Sequence, residues 1–584
     1  MPAETTLQVL ARGLEFHKAG KRGDAEAAYR QVLAVDPNNS DALNLLGTLN
    51  IQAGQLEMAV QLIRRAIALR PKAAQYYNNL GVALDHLGDA NAAAQAYQTS
   101  ITLEPKNADA YNNLGNILLK HNRLEEAVTC YENAVRLQPN SADAHYHLAN
   151  ALKAQDRFDA AIAEYQMALR IRPNYADALN NLGNTYKAQK RHDEAIAQYQ
   201  AALRVRPNDA ELYSNLGEVL RVAGQTEKAV VALETALRLR PNLAEAHCNL
   251  GNALYELGRY AEAKRCYQTT LTLKPNLTLA HCDYAFALMI LGEFQEGWPH
   301  YEWRRRASIE LKQPILEPKQ PMWDGRELGR RKLLLHTEQG YGDTIQFIRY
   351  LPIVAQRGGR IAVACQRELL PLLRRMPGAE IWTALEPLPD CDVQCPLLSL
   401  PGLFKTNLSN IPANVPYLSA DPARTESWKS RLPADRLKVG LAWAGTPGHR
   451  NDHNRSIKLQ QLAGLARIPD VWFTSLQKGP AAAQTKTAPM EIADWSGEFN
   501  DFADTAALMH NLDLVITVDT SIAHLAGAMG KPVWTMLPFS PDWRWMIKRS
   551  DSPWYPTMRL FRQPEPGNWS AVVEQVALAL RSWK

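Results

Sequence analysis

The chain predicts an α-helical repeat solenoid followed by an α/β half built as two lobes with parallel sheets. Three observations carry this. Prolines fall at 37, 71, 105, 139, 173, 207, 241 and 275, each 34 residues after the last. After about residue 323 the pattern changes to short apolar runs alternating with helical stretches, the mark of parallel sheets. Residues 511–537, NLDLVITVDTSIAHLAGAMGKPVWTML, then hold a complete strand–helix–strand unit with polar side chains at its turn.

The first half is read from its period. Gly13, Gly47, Gly81, Gly115, Gly183, Gly217 and Gly251 keep the 34-residue step, as does the Ala series from Ala25 to Ala263. Small residues let two helices approach, and Tyr97, Tyr131, Tyr165, Tyr199, Tyr267 and Tyr301 recur as wedges. Proline after each second helix forces a turn into the next unit. Period and pattern resemble the tetratricopeptide repeat, implying about nine helical pairs over residues 1–306 and a superhelix with a concave wall. In the ninth unit, Gly297-Trp298-Pro299 breaks the second helix early, and Tyr301, Trp303 and Arg304-Arg305-Arg306 follow. An aromatic end of this kind suggests docking rather than a polar cap. Residues 307–322 read as a linker.

One register position holds Asn79, Asn113, Asn181, Asn215 and Asn249. An amide offers donors and an acceptor together, so a ladder of them suits the main chain of an extended peptide. The other reading is that Asn is common at this slot. Protein O-GlcNAc transferases hold acceptor polypeptides on such a ladder, and the array resembles theirs.

In the second half, residues 332–336 read as a strand, 337–343 as a Gly-bearing loop and 344–355 as a helix. A strand at 360–365, a helix at 368–376 and a strand at 380–383 complete a lobe spanning 323–433, with 387–433 irregular and Pro-rich. A second lobe, 434–584, has strands at 438–442, 471–476, 514–518 and 533–537. Its helices are read at 522–529, stopped by Gly530, and at 569–580. Ligands of open α/β sheets gather at the carboxyl ends of strands, which places Gln339, Gly340, Gly342 and Asp343 of the first lobe in a cleft.

Asp519-Thr520-Ser521 stands where a helix must begin, so free N–H groups and the helix dipole converge on an anion site, with His524 in the first turn. The stretch DTSIAHLAGAMGKPVW resembles the D-T-G-x-x-H-L-A-A-A pattern of heptosyltransferase-like (family 9) glycosyltransferases, with Ser521 where that pattern usually has Gly. The resemblance implies two Rossmann-like lobes in the GT-B arrangement, the first on the acceptor side and the second binding a nucleotide-sugar. It implies a diphosphate at Asp519, Thr520, Ser521 and His524, and a general base at Asp343, which a helix-capping role would equally explain. Attack by an acceptor hydroxyl needs such a carboxylate.

Among the cations after second-lobe strands (His449, Arg450, Arg455, Lys478), Arg455 and Lys478 are candidates to stabilise the leaving diphosphate, with Gln477 beside them. Trp543 and Trp545 suit either base stacking or lobe packing, and Arg544 a phosphate. Asp501 and Asp504 read as a solvated helix face. No D-x-D triplet follows a strand, so no metal is expected, and no cofactor beyond the nucleotide-sugar substrate.

A net charge of +5 without a Lys/Arg block argues against nucleic acid. No run of 18 apolar residues argues for a membrane span, and the amino terminus lacks a secretory pattern, so a cytoplasmic protein is expected. The seven cysteines suit reduced thiols in a packed interior. The resemblances imply an inverting transferase that moves a sugar onto a hydroxyl of a polypeptide held by the repeats. Flagellin is an acceptor suggested by resemblance to flagellin glycosyltransferases. Two alternatives stay open: a polysaccharide or lipid-linked glycan acceptor, and a non-catalytic scaffold with a degenerate transferase half.

Overall fold

The computed structural model describes residues 5–313, 316–338, 340–448 and 451–583. Gln339, His449 and Arg450, named above as cleft or loop residues, lie outside them. The chain divides into two compact units at Pro241 and Asn242.

The first unit holds seven antiparallel helical pairs among the described residues, from Thr6–Lys18 to Thr226–Leu239. Each first helix ends at a left-handed residue: Gly20, Gly54, Gly88, Asn122, Asp156, Lys190 and Gly224, with φ between +57° and +85°. Proline after each second helix leaves no N–H to continue it. Asn39, Asn107, Ser141 and Asp209 then accept from backbone N–H groups of the next helix. The tyrosine wedges are fully buried. A Cβ at Gly81 would lie 2.5 Å from Tyr97 and one at Gly115 2.7 Å from Tyr131, so these positions admit no side chain. Buried phenols still find partners: Tyr131, Tyr165 and Tyr199 donate to Asn116, Asn150 and Asn184.

The second unit, Asn242–Lys584, opens with two more pairs, Ala244–Glu256 with Tyr260–Leu273 and Thr278–Ile290 with Phe294–Tyr301. The last helix stops after eight residues, with Pro299 inside it, and Trp303–Glu310 forms a further short helix. Two all-parallel sheets follow. The first contains β1 (Gly329–His336), β2 (Gly358–Cys365), β3 (Ile381–Ala384) and β4 (Val393–Pro396), in the order β3-β2-β1-β4. The second contains β5 (Leu437–Ala442), β6 (Val471–Ser475), β7 (Leu514–Val518), β8 (Val533–Leu537) and β9 (Met558–Arg562), in the order β6-β5-β7-β8-β9. The architecture is a tetratricopeptide solenoid followed by an α/β region consistent with GT-B.

Several local expectations need correction. The passage 387–433 is not wholly irregular, since Val393 pairs with Leu333 to form β4. Strand β9 has no counterpart among the expected strands; its run carries Arg559 and Arg562, yet it pairs along β8. The helix expected at 344–355 is Tyr341–Phe347, a 3-10 turn at Ile348–Tyr350 and a short helix Leu351–Ala355 carrying Pro352 in its first turn. That at 368–376 shrinks to Leu370–Leu373, with Pro371 in its first turn. Asp501 and Asp504 are not a solvated face. Asp501 caps helix Phe502–His510, and both carboxylates hold Arg424 at 2.8 Å.

The aromatic end of the repeats docks on the lobes. Trp298 is buried among Phe294, Tyr301 and Trp543, and its indole N–H donates to Thr406 O at 2.8 Å. Cys130, Cys365, Cys391 and Cys395 are buried, while Cys248, Cys266 and Cys282 are half-buried; none of the seven is in a disulfide.

Candidate active site

Strand β7 is wholly buried, and its chain turns into helix Ser521–Ala528 through Thr520 in extended conformation. Thr520 Oγ1 accepts from Ile522 N and bonds Thr517 Oγ1 at 3.2 Å, which fixes the turn. Gly530, at φ +67°, ends the segment. In the first lobe, β1 leads through Thr337 and Glu338 to Gly340, the extended residue before helix Tyr341–Phe347, with Asp343 in its first turn. These two helices pack directly on one another. A Cβ at Gly342 would lie 2.8 Å from His524 Cδ2 and 3.6 Å from Ser521 Cα. Gly342, which strand-end reasoning places in a cleft, therefore lies against the opposite lobe.

Arg544, from the 3-10 turn Trp543–Trp545, is one of the residues that join the lobes, as is Arg349 through Trp554 O. Its guanidinium donates to Asp343 Oδ1 at 2.5 Å, Asp542 Oδ1 at 2.9 Å and Gln346 Oε1 at 2.6 Å. Burial opposes its charge, but Asp542 and Asp343 outweigh burial and raise its pKa. Trp543 and Trp545 are fully buried, so of the two readings the structure takes packing; Trp545 stacks on His524 at 5.3 Å.

Asp519 is buried beside this group, and burial first, then Asp542, push its carboxyl up to about 6, against Arg455 and Arg544. His524 Nδ1 bonds Tyr555 OH at 3.0 Å. Burial, followed by Arg544, Arg349 and Arg455, holds its pKa well below the usual histidine range, so the ring is neutral. Its ring is packed between Gly342 and Trp545 and so acts as a spacer.

The second-lobe loops differ from expectation. Gln477 Oε1 accepts from Trp443 N and Ala444 N, and its Nε2 donates to Ala444 O and Lys478 O. That amide clamps the turns after β5 and β6. Lys478 donates to Ser496 O at 2.9 Å and Phe499 O at 2.7 Å, so its ammonium secures the 496–499 segment. Arg455, near Asp452 at 3.4 Å, packs over Gly445, where a Cβ would meet its guanidinium at 2.6 Å. Of the three, Arg455 is the cation whose charge reaches Asp519 and His524.

Each Asn of the ladder is half-buried. Asn79 donates to Asn44 and Thr48, Asn113 to Asn78, Asn181 to Tyr146 and Asn150, and Asn215 to Asn180. The amide donors thus stitch one repeat to the preceding one, while each residue stays partly exposed. Asn249 lies half-buried at the same register in the second unit.

The pairing of Asp343 with Arg544 spans 201 residues, and no sequence motif announces it. Residue type marks Arg544 as a phosphate ligand, not as a partner of the candidate base. Tyr555 and the buried Arg349, which donates to Trp554 O and Tyr417 OH, carry no signal beyond residue type.

Comparison with known proteins finds matches in both halves of the chain. Tetratricopeptide-repeat profiles match residues 10–74, 86–122, 112–176, 164–197, 183–221, 218–258 and 244–277. The profile of glycosyltransferase family 9 (heptosyltransferase) matches residues 472–554, from β6 past the Arg544 turn. The chain carries tetratricopeptide repeats in its N-terminal half and a family 9 glycosyltransferase domain near its C-terminus. Protein FlbA of Caulobacter vibrioides is 27% identical over 317 residues, 49% of this chain and 52% of that protein. The chain thus spans about half the length of this curated relative. Among solved structures, YrrB, described as a TPR protein with an unusual peptide-binding site, is 24% identical with a TM-score of 0.29, covering 32% of this chain and 96% of that one. MamA is 27% identical with a TM-score of 0.26, covering 30% of this chain and 94% of that one. Among the described residues no helix is long and apolar enough to cross a membrane.

Proposed function

We propose that the second unit is a metal-independent, inverting glycosyltransferase that moves a sugar from a nucleotide-activated donor to a hydroxyl of a polypeptide. The observation that carries this reading is the Asp343 carboxylate, gripped by Arg544 on a helix that packs against the helix begun by Thr520 and Ser521. Asp343 takes the hydroxyl proton as that oxygen bonds to the anomeric carbon. The bond from that carbon to the diphosphate breaks on the opposite face, which inverts the centre. Negative charge then grows on the diphosphate, where backbone N–H groups of the Ser521 turn and the Arg455 guanidinium stabilise it. Gln477 and Lys478 support this indirectly by fixing the loops around Arg455 and the turn. The repeats, with the partly exposed Asn79, Asn113, Asn181, Asn215 and Asn249, hold the acceptor chain, for which flagellin is a candidate.

The test pairs binding with turnover. A panel of UDP-, GDP-, ADP- and dTDP-sugars is screened by thermal shift, since a ligand of the folded state raises its melting temperature. Asp343→Asn is expected to keep the shift and lower turnover by about 10²–10⁴-fold. Near-normal turnover in that variant would remove Asp343 from the chemistry.

A further inference from the structure

Arg304 lies in the short helix that ends the repeats, yet it is buried. Its guanidinium donates to Glu338 Oε2 at 2.6 Å, Ser399 Oγ at 2.9 Å and Glu302 Oε1 at 2.8 Å, and it lies 4.8 Å from the Tyr301 ring centre. Ser399 closes the circuit by donating to Glu302 Oε2. Glu338 is equally enclosed, with side-chain exposure of 6%. It stands two residues before Gly340, where the helix bearing Asp343 begins.

The other side of Asp343 is braced from the same repeats. Arg544 arises from the segment after β8, and that segment meets the tight turns of pairs eight and nine. Phe539 lies 3.2 Å from where a Gly258 Cβ would stand, and Met546 lies 3.0 Å from the same point on Gly292. Ser540 donates to Tyr255 O and accepts from Tyr260.

We propose that Arg304 is a positioning residue for transfer: by holding Glu338 it sets the segment that carries Asp343, so pairs eight and nine belong to the transferase itself. A buried ion pair is a weak device for stability, because desolvation offsets the attraction. It is a strong device for geometry, since neither charge tolerates leaving its partner. The proposal rests on Asp343 as the base, and it makes Asn242, where the compact unit starts, the start of the transferase.

The experiment uses the full chain as Arg304→Met, Glu338→Gln and the double variant. Each single change strands a buried polar partner and is expected to lower the melting temperature. The double change removes both charges and is expected to regain much of it. Hydrogen exchange at residues 340–347 in the double variant is expected to quicken at least about tenfold, with residues 514–518 unaltered. With a donor turned over in the screen above, kcat is expected to fall about 10–100-fold while the donor KM stays within about twofold, as for misplacement of a reacting group. Natural exchange at 340–347, or natural kcat, in the double variant overturns the proposal. A purely structural role would make kcat recover together with melting temperature. If no donor is turned over, the exchange result decides. If Asp343→Asn stays active, the base assignment fails while the exchange result still reports whether Arg304 sets the segment.

Discussion

The seven repeat pairs before Pro241 and the two after it share one 34-residue pattern but spend its variable positions differently. In the first unit the left-handed turn glycines Gly20, Gly54, Gly88 and Gly224 have nothing within 4 Å of where a Cβ would stand, and Asn122, Asp156 and Lys190 occupy the same register. In the second unit Gly258 and Gly292 occupy that register against Phe539, Met546 and Leu408. One second-helix position reads Glu26, Val60, Ala94, Val128, Ile162, Ile196 and Val230 in the first unit, Lys264 in the eighth pair and Trp298 in the ninth. A repeat therefore becomes part of an enzyme unit through few substitutions: larger side chains at faces that otherwise meet only neighbours, and turns that stay glycine because something leans on them.

The largest effect expected from breaking this difference is at Trp298. Trp298→Ala removes a buried ring and the bond to Thr406 O, and should cost about 3–5 kcal/mol in the second unit. All 14 tryptophans follow Pro241, so fluorescence during urea unfolding reports that unit alone. A midpoint shift under a quarter of that size would show that the ninth pair does not depend on the lobes.

Next come the turn glycines. Gly292→Asn must push aside Met546 Cε and Leu408 Cδ1, 3.0 and 3.2 Å from the new Cβ, and should cost about 1–3 kcal/mol by fluorescence. Gly224→Asn repeats what Asn122 already does at φ +58° and should cost under about 1 kcal/mol by circular dichroism. Equal penalties would erase the contrast.

A smaller effect is expected at Asn181, whose amide bonds both Tyr146 and Asn150. Asn181→Ala should lower the stability of the first unit by about 1 kcal/mol, since two modest hydrogen bonds are lost while helix propensity improves. If the ladder also grips an acceptor, the KM for a protein acceptor rises with kcat unchanged. A stability loss with no KM change would confine the ladder to stitching repeats together.

What the sequence revealed and what it hid divide along the same physical line. Pairs one to nine were legible because a 34-residue period repeats the same local physics nine times. Strands β1, β2, β3, β5, β6, β7 and β8 were legible from the sequence, whereas β4 carries Gln394 and Pro396 and β9 carries Arg559 and Arg562, and only pairing with β1 and β8 makes them strands. At the site, Gly342, Asp343, Thr520, Ser521 and His524 are gathered as strand-end reasoning would gather them. Gln477 and Lys478 showed the hazard of residue type alone: their polar groups are consumed by backbone groups that no motif encodes. Arg544 is the converse, a residue whose partner lies 201 positions away and is visible only in the fold.

The finest contrast is between two histidines at one register. His145 directs Nε2 at Pro139 O and Nδ1 at the Glu164 carboxylate, so a doubly protonated ring keeps both bonds. His281 directs Nε2 at Pro275 O, but its Nδ1 meets His300 Nδ1 at 2.7 Å. A neutral His281 that donates from Nε2 must accept at Nδ1, which assigns the shared hydrogen to His300. Burial, then His281, lowers the His300 pKa, while Glu296 opposes them. The unfolded chain therefore takes up a proton near pH 6.5 that the folded ninth pair resists. Stability from this group is complete above that pH and is lost as pH falls below it toward the lowered folded value. Because His300 is half-buried, solvent screening keeps the loss under about 1 kcal/mol. His300→Glu recreates the His145–Glu164 arrangement and should flatten the fluorescence-monitored urea midpoint between about pH 7.5 and 5.5. An equal fall in midpoint for the natural chain and the variant would place the pH sensitivity elsewhere in the second unit.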